Sequence, residues 1–149
     1  MRPITRNFLF GVLAVVVLLL ALGALPGLLK SGDPYYFTAT PIDETELTSE
    51  QRDTAADAAN LSERRYEYTT AALADATERT GYSEPYWRGP VGIKGAFTHS
   101  PFDELSALQS QYPDATDRDA VYVQIEDESA TGDAVENVTF YRLNVTQRP

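Results

Sequence analysis

The sequence feature that most constrains this chain is an unbroken apolar stretch close to its N-terminus. From Phe8 to Leu29 there are 22 residues without a charged or strongly polar side chain. A helix of that length is roughly 30 Å long, which matches the hydrocarbon core of a bilayer, whereas the apolar stripe of a soluble helix is narrower. The stretch therefore predicts a transmembrane anchor within residues 1–30, followed by a single domain over residues 31–149.

The charges before the apolar stretch predict how it is oriented. Arg2, Arg6 and the N-terminal amine precede it, and the positive-inside rule then places the N-terminus in the cytoplasm and the domain outside the cell. A cleaved signal peptide is the alternative, with Ala21-Leu22-Gly23 as its cleavage site. Signal peptides have apolar parts of about 7–15 residues, so the length favours a retained anchor.

The charge of residues 31–149 limits the partners that the domain can have. This part of the chain carries 9 basic and 22 acidic residues, a net charge of −13. Such a field repels nucleic acid, so we expect no nucleic-acid partner. Lysine occurs only at positions 30 and 94, and this acid-rich balance indicates a high-salt solvent, where charges are screened within about 3 Å at 1 M.

The absence of cysteine excludes several kinds of site. The chain has no disulfides, no thiolate metal ligands, no cysteine nucleophile and no lipid-modified cysteine. An extracytoplasmic domain of this kind must be stabilised by its own core or by its solvent. We therefore expect the domain to need molar salt to fold fully.

Local patterns in the first half of the domain predict one strand and two helices. Aromatic and β-branched residues from Tyr35 to Thr40 are typical of a strand. Thr48 and Gln51 have the spacing of a capping box, and the alanine-rich stretch after them favours a helix. A second helix is predicted from Ser62 to Arg79, capped by Asn60 or Ser62 and ended by Gly81. Four of its residues share one face: Tyr66, Thr69, Leu73 and Ala76.

The C-terminal third predicts a short helix and a hairpin. A helix N-terminus is predicted at Ser100, which has the residue type of a cap. Pro101 suits the first helical position, and the charge of Asp103 suits the positive end of the helix dipole. Apolar and polar residues then alternate over 121–126 and 140–145, on either side of a loop around Gly132-Asp133. The predicted fold class is α+β, an N-terminal transmembrane helix followed by a small antiparallel sheet with helices packed on one face.

The residues with the clearest catalytic potential lie around the single histidine. His99 and Ser100 precede Asp103 and Glu104, which together contain the residue types of a serine hydrolase. Adjacent residues rarely have the required geometry, and Ser100 is better explained as a helix cap. The spacing matches neither a zinc site nor an EF-hand loop, so we assign no catalytic residue, metal or cofactor.

A segment rich in aromatic residues is the candidate interaction loop. Tyr82, Tyr86, Trp87 and Arg88 form an aromatic platform that a sugar or a protein partner could contact, and His99 ends the segment. The structural alternative, which is favoured, is that Trp87 and its neighbours fill a small core under a loop rich in glycine and proline. The two interpretations assign the same residues to different roles.

Three asparagines match the acceptor pattern for N-linked glycosylation. The sequons begin at Asn60, Asn137 and Asn144, all in the part predicted to be outside the cell, whereas Asn7 does not match. Three matches among four asparagines exceed chance, although asparagine caps and turns also produce such triplets. We treat the three sites as candidates for glycosylation.

The chain resembles small membrane-anchored proteins of halophilic archaea. The resemblance lies in "SGDPYYFTATP", "NLSERRYEYTTAAL" and "YWRGPVGIKGAFTHSPFDEL", and covers most of the chain. It implies an origin and a topology but no activity. The expected function is a membrane-tethered interaction or structural module whose partners are the bilayer and another envelope protein. The alternative is a small-ligand-binding or enzymatic domain that uses the Tyr82–His99 loop.

Overall fold

The computed structural model describes residues 3–30, 32–89, 99–126 and 138–147. Its first element is helix α1, Pro3–Leu29. The window Thr5–Ala24 has a mean hydropathy of 2.6 and none of it is buried, so the helix is compatible with a membrane anchor or a signal sequence. The chain forms two compact units, one of Met1–Gly32 with Trp87–Phe97 and the other of Asp33–Tyr86 with Thr98–Pro149.

The second unit is built on one sheet. Its strands are β1 Tyr35–Ile42, β2 Ala56–Asp57, β3 Gly81–Tyr82, β4 Thr116–Asp117, β5 Ala120–Glu126 and β6 Val138–Gln147. They lie in the order β2-β5-β6-β1-β3, and β4 pairs with β5. The expected β5–β6 hairpin is confirmed, with Val121 opposite Leu143, while its turn lies outside the described residues.

The prediction of a purely antiparallel sheet is wrong, because β2 pairs with β5 in parallel. The sheet is therefore mixed. The stretch after Gln51 was expected to continue as a helix, but helix α2 is confined to Ser49–Thr54 and Ala56 and Asp57 form β2. Two residues carry too little alternation to indicate a strand or its direction.

The second helix of this unit, α3, is shorter than the pattern predicts and begins differently. It runs over Glu67–Asp75 because a turn closed on the Ser62 carbonyl precedes it, and neither Asn60 nor Ser62 caps it. Gly81 also has another role than ending the helix. A Cβ at Gly81 would lie 2.1 Å from the Ala72 carbonyl oxygen, so glycine allows β3 to approach α3 closely.

The main core lies between the sheet and two helices, α3 and α4 (Pro101–Gln111). The four residues predicted to share a face of the second helix are all buried; Thr69 and Leu73 lie in α3, and Tyr66 and Ala76 flank it. Tyr66, Leu73 and Ala76 pack in one cluster with the inward set of the strands: Phe37, Ala39, Val121, Val123 and Leu143. A smaller cluster of Leu47, Tyr122 and Phe140 covers part of the opposite face of the sheet.

Candidate functional site

The most densely connected polar group in the described residues is the carboxylate of Glu104. Its side chain is fully buried, and its Oε1 atom lies 2.7 Å from Nε2 of His99. His99 is 46% exposed, so one member of this pair contacts solvent and the other does not. A buried carboxylate of this kind requires several donors to offset its desolvation.

Most of those donors come from the N-terminus of α3. Glu104 Oε1 accepts a hydrogen bond from the Tyr68 backbone N–H at 3.0 Å. Its Oε2 accepts from the Thr69 N–H at 2.8 Å and from the Thr69 hydroxyl at 2.7 Å. Tyr66, at the N-cap position, has no side-chain cap bond, so a residue of α4 closes the first turn of α3 from a distance.

The arrangement around His99 lacks the geometry of a serine hydrolase. Ser100 caps α4 as predicted, and Asp103 completes a reciprocal capping box with it. The Ser100 hydroxyl donates to Asp103 Oδ2 at 2.6 Å. The structure thus brings His99 and Glu104 together as a pair but gives Ser100 and Asp103 a separate, structural partnership.

A chain of aromatic contacts begins beside His99. The Tyr68 ring lies 6.1 Å from the His99 ring and 6.2 Å from the Tyr86 ring. Phe102 contacts Tyr86 at 6.4 Å and Tyr35 at 4.9 Å. Partial burial raises the pKa of the Tyr68 phenol, and the nearby charges of Glu67, Tyr86 and Glu104 raise it further.

The residues of the predicted interaction loop are divided between different environments. Tyr86 is buried, bridges to Tyr35 through two backbone hydrogen bonds of 2.8 Å, and its hydroxyl has no partner in the described part of the chain. Tyr82 is half-buried in β3. Trp87 is half-buried and Arg88 is exposed. The Lys30 Nζ atom lies 5.2 Å from the centre of the Trp87 ring.

Five residues on the sheet face opposite α3 and α4 form a surface that we call the open sheet face: the half-buried Tyr36, Tyr82 and Asn144, the exposed Arg142, and the buried Thr38 between them. The Tyr36 and Tyr82 rings meet edge to face at 6.0 Å. Thr38 pairs with both Tyr82 and Asn144 in the sheet register. The sequence does not predict this face, because Tyr36 and Tyr82 are distant in the chain and the two-residue strand β3 has too little alternation to be recognised.

Two of the three sequons lie among the described residues, in contrasting places. Asn60 is exposed in a 3-10 turn, where its Nδ2 donates to Asp57 at 3.1 Å. Asn144 lies in β6, between β5 and β1, and its side-chain oxygen accepts from the Thr38 hydroxyl. Asn137 lies outside the described residues.

Surface depressions of the described residues lie away from His99. They are found on α1, along α3 near Arg64, and beside Asp57 and Glu126, and His99 lines none of these. Across residues 3–30, 32–89, 99–126 and 138–147, no group of three or more His, Asp or Glu side chains is arranged to hold a metal ion.

Known proteins offer no analogue from which a role could be transferred. No protein-family model matches the chain, and neither a curated protein nor a solved structure is significantly similar to it.

Proposed function

We propose that this protein is a single-pass membrane protein whose acidic domain lies outside the cell and contacts another envelope protein through the open sheet face. The apolar span Thr5–Ala24 supports the anchoring, since its length and hydropathy suit a bilayer. Arg2 and Arg6 before it support a cytoplasmic N-terminus. The acidic surface and the sequence resemblance extend the proposal to a high-salt exterior.

The observation that carries the proposal is the tyrosine pair on the open sheet face. Tyr36 and Tyr82 are half-buried and stack edge to face, and Arg142 on the same face has a side chain that is 43% exposed. Tyrosine and arginine are enriched at the centres of protein interfaces, because each offers a large contact area and a polar group. A fixed aromatic pair also costs little side-chain entropy on binding.

An enzymatic function is less well supported by the same residues. The oxygens of Glu104 are already occupied by the backbone of α3, and the Ser100 hydroxyl donates to Asp103. Histidine catalysis needs an acceptor or nucleophile within hydrogen-bond reach, and Glu104 is the partner that the described residues give to His99. The Glu104 carboxylate is better suited to holding α3 and α4 together.

The proposal is tested by photo-crosslinking in native membranes. A photoreactive amino acid at Tyr82 should yield one product of defined mass with an envelope protein, and the same residue at Ala74, exposed on α3, is the matched control. The proposal fails if Tyr82 yields no product, or the same products as Ala74.

Protease added to intact cells should remove the domain and leave an N-terminal stub, and a mature protein free in the medium would contradict the anchoring.

A further inference from the structure

We propose that Trp87 and Lys30 form an interfacial anchor that holds the start of the candidate interaction loop in the lipid headgroup layer. This inference rests on the proposed membrane anchoring. Trp87 and Lys30 belong to the same compact unit as α1, and the Lys30 Nζ atom lies 5.2 Å from the centre of the indole ring. That distance is within the range of a cation–π contact.

The position of Lys30 in the chain fixes its depth in a membrane. Helix α1 ends at Leu29, and Lys30 is the first charged residue after the apolar stretch. A lysine at the end of a spanning helix extends its ammonium group toward the phosphates and keeps its methylene groups in the apolar layer. Because the Trp87 ring lies against this ammonium group, it occupies the same depth.

The chemistry of the indole ring suits that depth. Tryptophan concentrates at membrane–water interfaces, since its ring is apolar while its N–H needs a hydrogen-bond partner. The half-buried state of Trp87 agrees with a ring that is covered on one side only. Trp87 belongs to neither apolar cluster of the sheet unit. A position in the headgroup layer gives its ring a role outside those clusters.

The charge distribution favours lipid, rather than a second copy of the acidic domain, as the partner of Trp87 and Lys30. Residues 31–149 carry a net charge of −13, which repels an anionic headgroup in general. Lys30, which precedes this range, lies against the Trp87 ring, and the exposed Arg88 follows Trp87 in the chain. A basic residue close to an anionic leaflet is attracted to its headgroups.

The experiment uses the tryptophan itself, because Trp87 is the only one in the chain. The full chain is placed in vesicles of phosphatidylcholine and phosphatidylglycerol with bromine at a shallow or a deep acyl position. We expect shallow bromine to quench Trp87 emission more strongly than deep bromine. Replacing Lys30 by Gln should reduce the fraction of shallow-quenched ring by about two- to fivefold, the equivalent of one cation–π contact.

A second reporter separates failure of this inference from failure of the proposed anchoring. Leu18→Trp in a Trp87→Phe background places the fluorophore in the middle of α1, where deep bromine should quench it most. If this reporter is quenched while Trp87 is not, the interfacial anchor is wrong and the transmembrane helix stands. If neither is quenched, both are wrong. If Trp87 is shielded from quenching only in native membranes and not in these vesicles, its ring contacts a protein rather than lipid, and the lipid assignment is wrong.

Discussion

Helices α3 and α4 pack on the same sheet and have similar lengths, nine and eleven residues, yet their N-termini are closed in different ways. Ser100 and Asp103 cap α4 from within its own first turn. The first turn of α3 is closed by Glu104, which is 35 positions from Thr69 in the chain. Capping of α4 is therefore a property of a short segment, whereas capping of α3 requires the folded domain.

This difference separates local from global stability. A local cap forms as soon as its helix forms and stabilises it by about 1 kcal/mol. The Glu104 carboxylate also joins two helices, so its bonds exist only when α3 and α4 have packed. Substitutions at the two caps should thus differ in how far they lower the free energy of unfolding and in whether they affect one helix or two.

The largest effect is expected for Glu104→Ala. This change leaves the N–H groups of Tyr68 and Thr69 and the Thr69 hydroxyl without their acceptor. Buried donors that lose a partner cost about 1–3 kcal/mol each, so we expect the free energy of unfolding to fall by about 3 kcal/mol or more. Denaturant unfolding of the full chain in detergent, followed by circular dichroism, measures the change.

His99→Ala is the matched control for Glu104→Ala. It removes the fourth partner of the same carboxylate, but His99 is 46% exposed and the α3 donors remain. Its cost should be below about 1 kcal/mol, as for other pairs near the surface. Equal losses for the two variants would show that the carboxylate acts through the histidine, and a negligible loss for Glu104→Ala would refute the remote cap.

A smaller effect is expected for Ser100→Ala, which breaks the local cap. The change removes the acceptor of the Asp103 N–H and the donor to the Asp103 carboxylate. The free energy of unfolding should fall by about 1 kcal/mol, as for other serine caps. Ser100→Thr keeps the hydroxyl and should recover most of the loss. A Ser100→Ala loss as large as that of Glu104→Ala would remove the distinction between the two caps.

The same distinction explains how much of the molecule the sequence predicts. The capping box at Thr48, the helix cap at Ser100, strand β1 and the β5–β6 hairpin rest on residues close in the chain, and all are confirmed. The reciprocal bond from Asp103 that makes Ser100 a full capping box was not predicted. The predicted start of α3 was wrong, because a turn closed on the Ser62 carbonyl precedes the helix and the first turn of α3 is closed by Glu104. The direction of β2 was also missed, since a two-residue strand takes its register from β5 rather than from its own pattern.

The candidate sites follow the same rule. Placing a histidine and a glutamate near each other was possible from sequence, because His99 and Glu104 are five positions apart. That the carboxylate is buried and bonded to α3 was not predictable, since no local signal links residues 69 and 104. The Tyr36–Tyr82 pair likewise depends on β3 joining the edge of the sheet beside β1.

The smallest expected effect is a change in the titration of Tyr68, which reports on the remote cap and not on the local one. Burial raises the pKa of Tyr68 above the ordinary value of 10.0. The charge of Glu104 raises this pKa further and is the smallest of four contributions. Because the pKa of Tyr68 is higher in the folded state than in the unfolded chain, the stability linked to the protonated phenol is fully present below about pH 10. It is lost as the pH rises through the pKa of the folded state.

Replacing Glu104 by Gln removes that charge and keeps an acceptor for the α3 N–H groups. The Tyr68 pKa should then move down slightly toward 10.0 but stay above it, because desolvation is its main cause. Tyrosinate absorbance against pH, with Tyr68→Phe subtracted, isolates this phenol from Tyr122 and Tyr141, whose pKa values are also raised by burial. Ser100→Ala should leave the Tyr68 curve unchanged, because its cap bonds only residues of α4. A Tyr68 shift in Ser100→Ala as large as in Glu104→Gln would mean that the two caps are coupled, and that the division between local and remote capping is wrong.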